Sequence, residues 1–239
     1  MPTNKDANYM KAKTFLAVLI IPLLFGFASE RNSLPGDTPI ALVKKIILDV
    51  TYKKAGQSDW EVAKTGLPLM DKEQVKTGPK SLALILFTDG SGLLRVRENS
   101  ILNIYGTPNN KKMDKNTVIN KGSVQFEVNK QEDEEFKFTT PTAVASIRGT
   151  EGLFDVADNG ESKMVLLTGT VELISKSGKK VTLTAGNTVI FDLAGDAKVY
   201  PSTDDDKKLL SQAKSLNTKK VKISTNSGEV DIEYFSDQK

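Results

Sequence analysis

From Phe136 to Val156 the chain reads strand, stop, short apolar run, sharp turn and strand again, an order that leaves little room for helices. Phe136 and Phe138 alternate with Lys137 and Thr139, the period of a half-buried strand, and Thr140-Pro141 stops it. The apolar run over residues 143–147 ends at the turn Arg148-Gly149-Thr150, and Leu153-Phe154-Asp155-Val156 opens the next strand. Gly149 marks a backbone position where a side chain is unwelcome, through positive φ or close approach. Arg148 is the long cation in this run of small and apolar residues. Its planar fork of donors suits turn carbonyls or a carboxylate, and the alternative is a ligand-binding arginine.

The same grammar extends in both directions. Residues 40–43 and 46–52 read as β, with Lys44-Lys45 between them as an exposed edge or a bulge. Residues 55–59 form a turn, 60–64 resume the strand, and 75–80 read as a turn into 81–87. That last stretch is apolar on both faces and is therefore a buried central strand. Thr88-Asp89-Gly90-Ser91-Gly92 is a hairpin signal feeding strands at 93–97 and 101–105. Residues 106–117 are polar, mixed in charge and without period, and read as a solvated loop. The acidic run 131–135 reads as a solvated hairpin tip. Four short strands follow at 164–167, 171–174, 181–184 and 188–191, punctuated by Gly169, Gly178 and Gly186. A weak repeat pairs residues 122–128 with 169–174, and 92–96 is a looser copy. The fold class is all-β, a jelly-roll-like sandwich or a short β-helix, over residues 39–200.

The ends differ from this body. Residues 14–28 are apolar, follow Lys11 and Lys13, and close on Gly26-Phe27-Ala28 before Ser29. That is the pattern of a signal peptide, with an N-terminal membrane anchor as the alternative. The run falls short of the roughly 20 residues of a spanning helix. Met10 is a tidier start for it than Met1. Residues 29–38 form a polar linker. In the segment 201–239, Asp204, Asp205 and Asp206 precede an apolar stripe of Leu209, Leu210, Ala213 and Leu216, so a short helix is expected with acids at its positive end. A hairpin over 221–235, turning at Asn226-Ser227-Gly228, completes a cap or appendage to the domain, with a separate partner-binding tail as the alternative.

What the chain lacks narrows its chemistry. It contains no histidine and no cysteine, which excludes a Ser-His-Asp triad, imidazole metal sites, disulfides and thiolate catalysis. The formal charge is +3, and removing residues 1–28 takes away Lys5, Lys11, Lys13 and Asp6, leaving the rest close to neutral. Nucleic-acid binding therefore has no electrostatic footprint. Asp89 and Glu98 sit at turns, where turn chemistry accounts for them; a glycosidase would need two carboxylates facing each other across a cleft. We expect no catalytic residues, no cofactor and no metal. Trp60 and Tyr105 are the obvious stacking residues and form the candidate binding surface for a carbohydrate or surface polymer.

In their order, several segments resemble the FecR-type domain of bacterial envelope proteins, over residues 40 to 192. They are Trp60-Glu61-Val62-Ala63-Lys64-Thr65-Gly66, Val75-Lys76-Thr77-Gly78-Pro79-Lys80-Ser81 with Thr88-Asp89-Gly90-Ser91, and the glycine-led strand at 122–128. Thr139-Thr140-Pro141, Arg148-Gly149-Thr150, Phe154-Asp155-Val156 and Gly169-Thr170-Val171 complete them. Met70-Asp71-Lys72-Glu73-Gln74 departs from the family's Gly-Asp before the Val75 turn. The resemblance implies a non-catalytic all-β domain outside the cytoplasm, with Thr140, Pro141, Arg148, Gly149, Thr150 and Gly169 as structural motif. The namesake senses an outer-membrane transporter and signals through a membrane helix to a cytoplasmic regulator. Ahead of Phe15 this chain has too few residues for such a regulator, so it resembles the stand-alone exported members. The implied partner is an envelope protein or a surface polymer. The implied location is periplasmic or extracellular, with inner-membrane anchoring, and membrane contact only through 14–28, if that segment stays uncleaved.

Overall fold

Alternating short runs with glycine and asparagine turns can bury their apolar side chains only by pairing into sheets, and the computed structural model shows the result. It describes residues 38–109, 112–130, 134–214, 218–225 and 228–235; the apolar segment at 14–28 and nearly all of the linker lie outside these. The first strands are β1 (Ala41–Ile47), β2 (Val50–Lys53), β3 (Glu61–Val62), β4 (Pro68–Leu69), β5 (Glu73–Thr77) and β6 (Leu82–Phe87). Next come β7 (Gly92–Val96), β8 (Ile101–Asn109), β9 (Lys112–Val128), β10 (Phe136–Thr139), β11 (Ala143–Ile147) and β12 (Thr150–Val156). The remaining elements are β13 (Ser162–Thr168), β14 (Thr170–Ser175), β15 (Lys180–Thr184), β16 (Asn187–Phe191), β17 (Ala197–Pro201), α1 (Asp204–Lys214), β18 (Thr218–Thr225) and β19 (Gly228–Phe235). All of them belong to one compact unit, Ser33–Lys239.

Two sheets share β9. Its C-terminal half, from Gly122 on, joins the order β4-β1-β6-β7-β9-β12-β13-β16-β17. Its N-terminal half joins β3-β2-β5-β8-β9-β10-β11-β14-β15. Every pairing is antiparallel except β9 with β10, so the strands form two facing layers and not the parallel coils of a β-helix. The layers pack through phenylalanines. Phe126 and Phe154 of the first sheet meet Phe138 of the second at 4.9 and 5.3 Å between ring centroids, and Phe87 meets Phe136 at 4.8 Å. All five rings are at most 2% exposed.

The first sheet also buries parts of its outer face. Leu153 and Val165 cluster there with Leu210 and Ala213 of α1, the stripe expected of that helix. Leu82, Leu84 and Ile47 form a second outer cluster. The helix start is a reciprocal capping box: Asp206 N–H donates to Thr203 Oγ1 at 3.2 Å, and Thr203 N–H donates to Asp206 Oδ2 at 3.0 Å. Lys163 of β13 reaches the same carboxylate at 3.2 Å, tying helix to sheet. We call this the helix-side sheet and its partner the open sheet.

Two local expectations change, and between the two readings of a third the structure selects one. Residues 106–117, expected as a solvated loop, are largely the adjoining ends of β8 and β9. Their period is hidden because the inward positions are Lys115 and Thr117, both buried and both polar. Residues 75–77 belong to β5, and only Gly78-Pro79-Lys80 turns. The Lys44-Lys45 irregularity is a register shift between Val43 and Lys45 against β6, as a bulge requires.

Candidate binding surface

The motif residues fall at a hairpin of the open sheet and at two crossings between sheets. Thr140 closes the β10–β11 hairpin: its N–H donates to Ala143 O at 2.8 Å, and its Oγ1 accepts from Ala143 N–H at 3.1 Å. Pro141 occupies the loop, exposed, where no N–H is needed. Gly149 turns β11 of the open sheet into β12 of the helix-side sheet with φ +64°, and an added Cβ there would meet Lys130 at an ordinary 3.4 Å. The demand at Gly149 is thus conformational. Gly169 turns β13 back into β14 with φ +86°, and there the demand is also spatial: an added Cβ would lie 2.5 Å from Thr150 Cγ2. Thr150, 2% exposed, fits its methyl against Gly169, so the two crossings lock against each other.

Arg148 departs from the structural role expected of it. It is exposed, and among the described residues it makes no ion pair or side-chain hydrogen bond. It lines an open hollow of about 470 Å³ together with Glu134, Glu135, Ser146, Thr170 and Glu172. Two of these acids are already matched: Glu134 pairs with Lys115 at 2.8 Å and Glu135 with Lys137 at 2.6 Å. Arg148 and the exposed Glu172 are left facing solvent, which suits charged contact with a partner. Part of the acidic run, residues 131–133, lies outside the described residues.

Lys115 is the residue that sequence reasoning missed. Its side chain is 1% exposed, and its Nζ donates to Met113 O at 2.8 Å while pairing with Asp89 at 2.5 Å and Glu134. Burial pushes the Asp89 carboxyl up, but the hydrogen bonds from Lys115 and Ser91 and the lysine charge outweigh it and hold the group below the usual carboxylate range. Asp89, expected to serve its turn, does so by accepting Ser91 N–H at 2.9 Å, and it also anchors β9. The available signal was the alternation Lys115, Thr117, Ile119 running back from an apolar position.

Trp60 and Tyr105 share a face but not a pocket. Trp60 is 36% exposed beside the edge strand β3, with Lys53 Nζ 5.1 Å and Lys76 Nζ 5.5 Å from its ring centroid. Tyr105 is half-buried on β8, three strands across the open sheet, or roughly 14 Å at ordinary strand spacing. Between and beyond them the outer face carries Gln74, Asn103, Val118, Thr139, Val144, Ile174 and Lys180 in one register row. Ile174 in that row is 47% exposed.

Comparison with known proteins bears on the domain. The family model described as "FecR protein" matches residues 73–172, which run from β5 into β14 and hold the hairpin, the Arg-Gly-Thr corner and all the stacked phenylalanines. No curated protein matches the chain. Among solved structures, it is similar to two crystal structures of a candidate anti-sigma factor from Parabacteroides distasonis ATCC 8503, each at 12% identity. The match covers 56% of this chain and 62% of that one with TM-score 0.49 for the 2.50 Å structure. For the 1.65 Å structure it covers 58% and 63% with TM-score 0.47. The chain thus spans less than two thirds of either. Residues 73–172 match the FecR family model, a similarity that covers less than half of the chain.

Proposed function

We propose that this is a non-catalytic protein of the cell envelope, exported by its apolar N-terminal segment, in which the FecR-type domain binds another protein as part of envelope signalling. One observation carries the reading. Gly149, Thr150 and Gly169 serve the inter-sheet crossings and Thr140 the β10–β11 hairpin, while Arg148 and Ile174 stay exposed on the open-sheet side. A rigid two-layer body with one covered and one bare face is built for contact. A photocrosslinking residue placed at Ile174 should capture an envelope protein in intact cells, and the same residue at Lys207, on the exposed side of α1, should not. Equal capture from both positions, or none from either, would defeat the proposal.

A second reading, binding of a surface polymer, is favoured by Trp60 with its two flanking ammonium groups. That arrangement suits an anionic polysaccharide better than a neutral sugar, because the cations compete for the indole faces. Titrating acidic polysaccharide against Trp60 fluorescence should then quench or shift the emission, and an unchanged spectrum would eliminate it.

A further inference from the structure

We infer that β15 is a pairing edge for a second copy of this chain, through an antiparallel ladder centred on Thr182. The reasoning starts from which backbone groups β14 uses. Ser175 N–H donates to Lys179 O at 2.9 Å, and Ala185 N–H donates to Gly169 O at 3.0 Å. With the register of Val171 opposite Leu183 and Leu173 opposite Val181, the hydrogen-bonded positions on β15 are the odd-numbered ones. In an antiparallel ladder the alternate residues aim their N–H and C=O groups the other way. Lys180, Thr182 and Thr184 therefore present theirs outward, at the end of the open sheet, and all three side chains are exposed.

Among the described residues, the other ends of the two large sheets offer no such edge. β3 and β4 are two residues long. On β17 the bonds from Ser202 N–H to Gly186 O and from Asp192 N–H to Asp196 O put Ala197, Val199 and Pro201 at the outward positions. Pro201 has no N–H to offer there, the usual way a natural edge is blunted. β15 carries no proline and no bulge.

The occupant follows from self-complementarity. About a two-fold axis at Thr182, Thr182 meets its own copy, Lys180 meets the copy's Thr184, and Val181 meets the copy's Leu183. No like charges fall opposite each other. The half-buried Val181 gains an apolar neighbour, which extends the inter-sheet core across the junction. Thr184 O already accepts Asn187 Nδ2 at 3.2 Å, which leaves the carbonyl's second lone pair for the copy's Lys180 N–H. The pairing is independent of the envelope-partner proposal, since either can fail while the other stands.

The absence of cysteine in the chain makes the test clean. Three full-length variants are expressed in cells and treated with a membrane-permeant oxidant: Thr182→Cys, Lys180→Cys, and Lys180→Cys combined with Thr184→Cys. Facing positions in a ladder sit about 5.5 Å apart at Cα, within disulfide reach. Two copies of residue 180 would be about 13 Å apart, beyond it. The expected result is a disulfide-linked species of twice the monomer mass from the first and third variants and not from the second. Adding Thr182→Pro to the double-cysteine chain should reduce that species at least tenfold. It removes only an outward N–H, so the folded monomer keeps its own ladder. No dimer from Thr182→Cys, equal crosslinking from Lys180→Cys alone, or indifference to Thr182→Pro would each overturn the inference.

Discussion

β6 and β14 come from the same kind of chain and read quite differently. Leu82-Ala83-Leu84-Ile85-Leu86-Phe87 is apolar throughout, while Thr170-Val171-Glu172-Leu173-Ile174-Ser175 alternates. The difference is what lies behind each. β6 belongs to the helix-side sheet, and five of its six residues are buried, Leu82 and Leu84 in the outer cluster with Ile47. β14 belongs to the open sheet, and only its inward positions are buried. The inward positions of both strands are mostly apolar, so the outer positions distinguish the two. One was spent on anchoring α1, and the other remains free for contact. A run without alternation marks a layer that has a cover, and a run with it marks a layer that faces water.

Substitutions on the two outer faces should therefore differ sharply. The largest effect is expected on the covered side. Leu153→Ala removes a side chain that is 0% exposed and packed under α1, and should cost about 3 kcal/mol, read as a lowered midpoint in thermal or urea unfolding. A cost near zero would mean that α1 does not seal that face. Next comes the corner that joins the layers. Gly149→Val puts a β-branched residue at φ +64° and should cost about 2 kcal/mol; an unchanged melting temperature would remove the requirement for that backbone conformation.

A smaller, pH-dependent effect separates the faces further. Burial pushes Asp206 up, but the hydrogen bonds from Thr203 and from Lys163, together with the lysine charge, hold it below the usual carboxylate range. Because its folded value is depressed, its contribution is fully present above the unfolded value of about 3.9 and is lost as pH falls through the lower folded value. Asp155, pushed up by burial against the pull of Lys163, works in the opposite sense as pH rises past the unfolded value. Asp206→Asn should cost about 1 kcal/mol at neutral pH and flatten the loss of stability in acid; an unaltered acid limb would discount the capping box as the tie between helix and sheet. The smallest effect belongs to the open face. Ile174→Ala should change stability by less than about 0.5 kcal/mol while weakening partner capture, and a loss comparable to that of Leu153→Ala would erase the contrast between layers.

How much of this was legible depended on whether polarity tracked burial. At β6 it did, with five apolar residues of the six buried, and the strand was readable residue by residue. At β9 it did not: Lys115 points inward and is satisfied by Asp89 and Glu134, far away in sequence, so no local pattern could mark it as core. The turns were readable because glycine and proline announce backbone demands directly, and Gly149 and Gly169 both sit at positive φ. Arg148 misled because its chemistry fits a turn, yet its guanidinium faces outward from one. The α1 stripe, by contrast, was visible as Leu209, Leu210 and Ala213, with Leu216 outside the described residues, although nothing local said which sheet it would cover.

Because the seventeen residues of β9 serve as a rung in both layers, the body has no seam along which to come apart. Prising one layer from the other means tearing a continuous backbone ladder at its middle. Load applied at either end should be shared by the whole sandwich, and a fragment cut within this strand should fail to fold on either side of the cut.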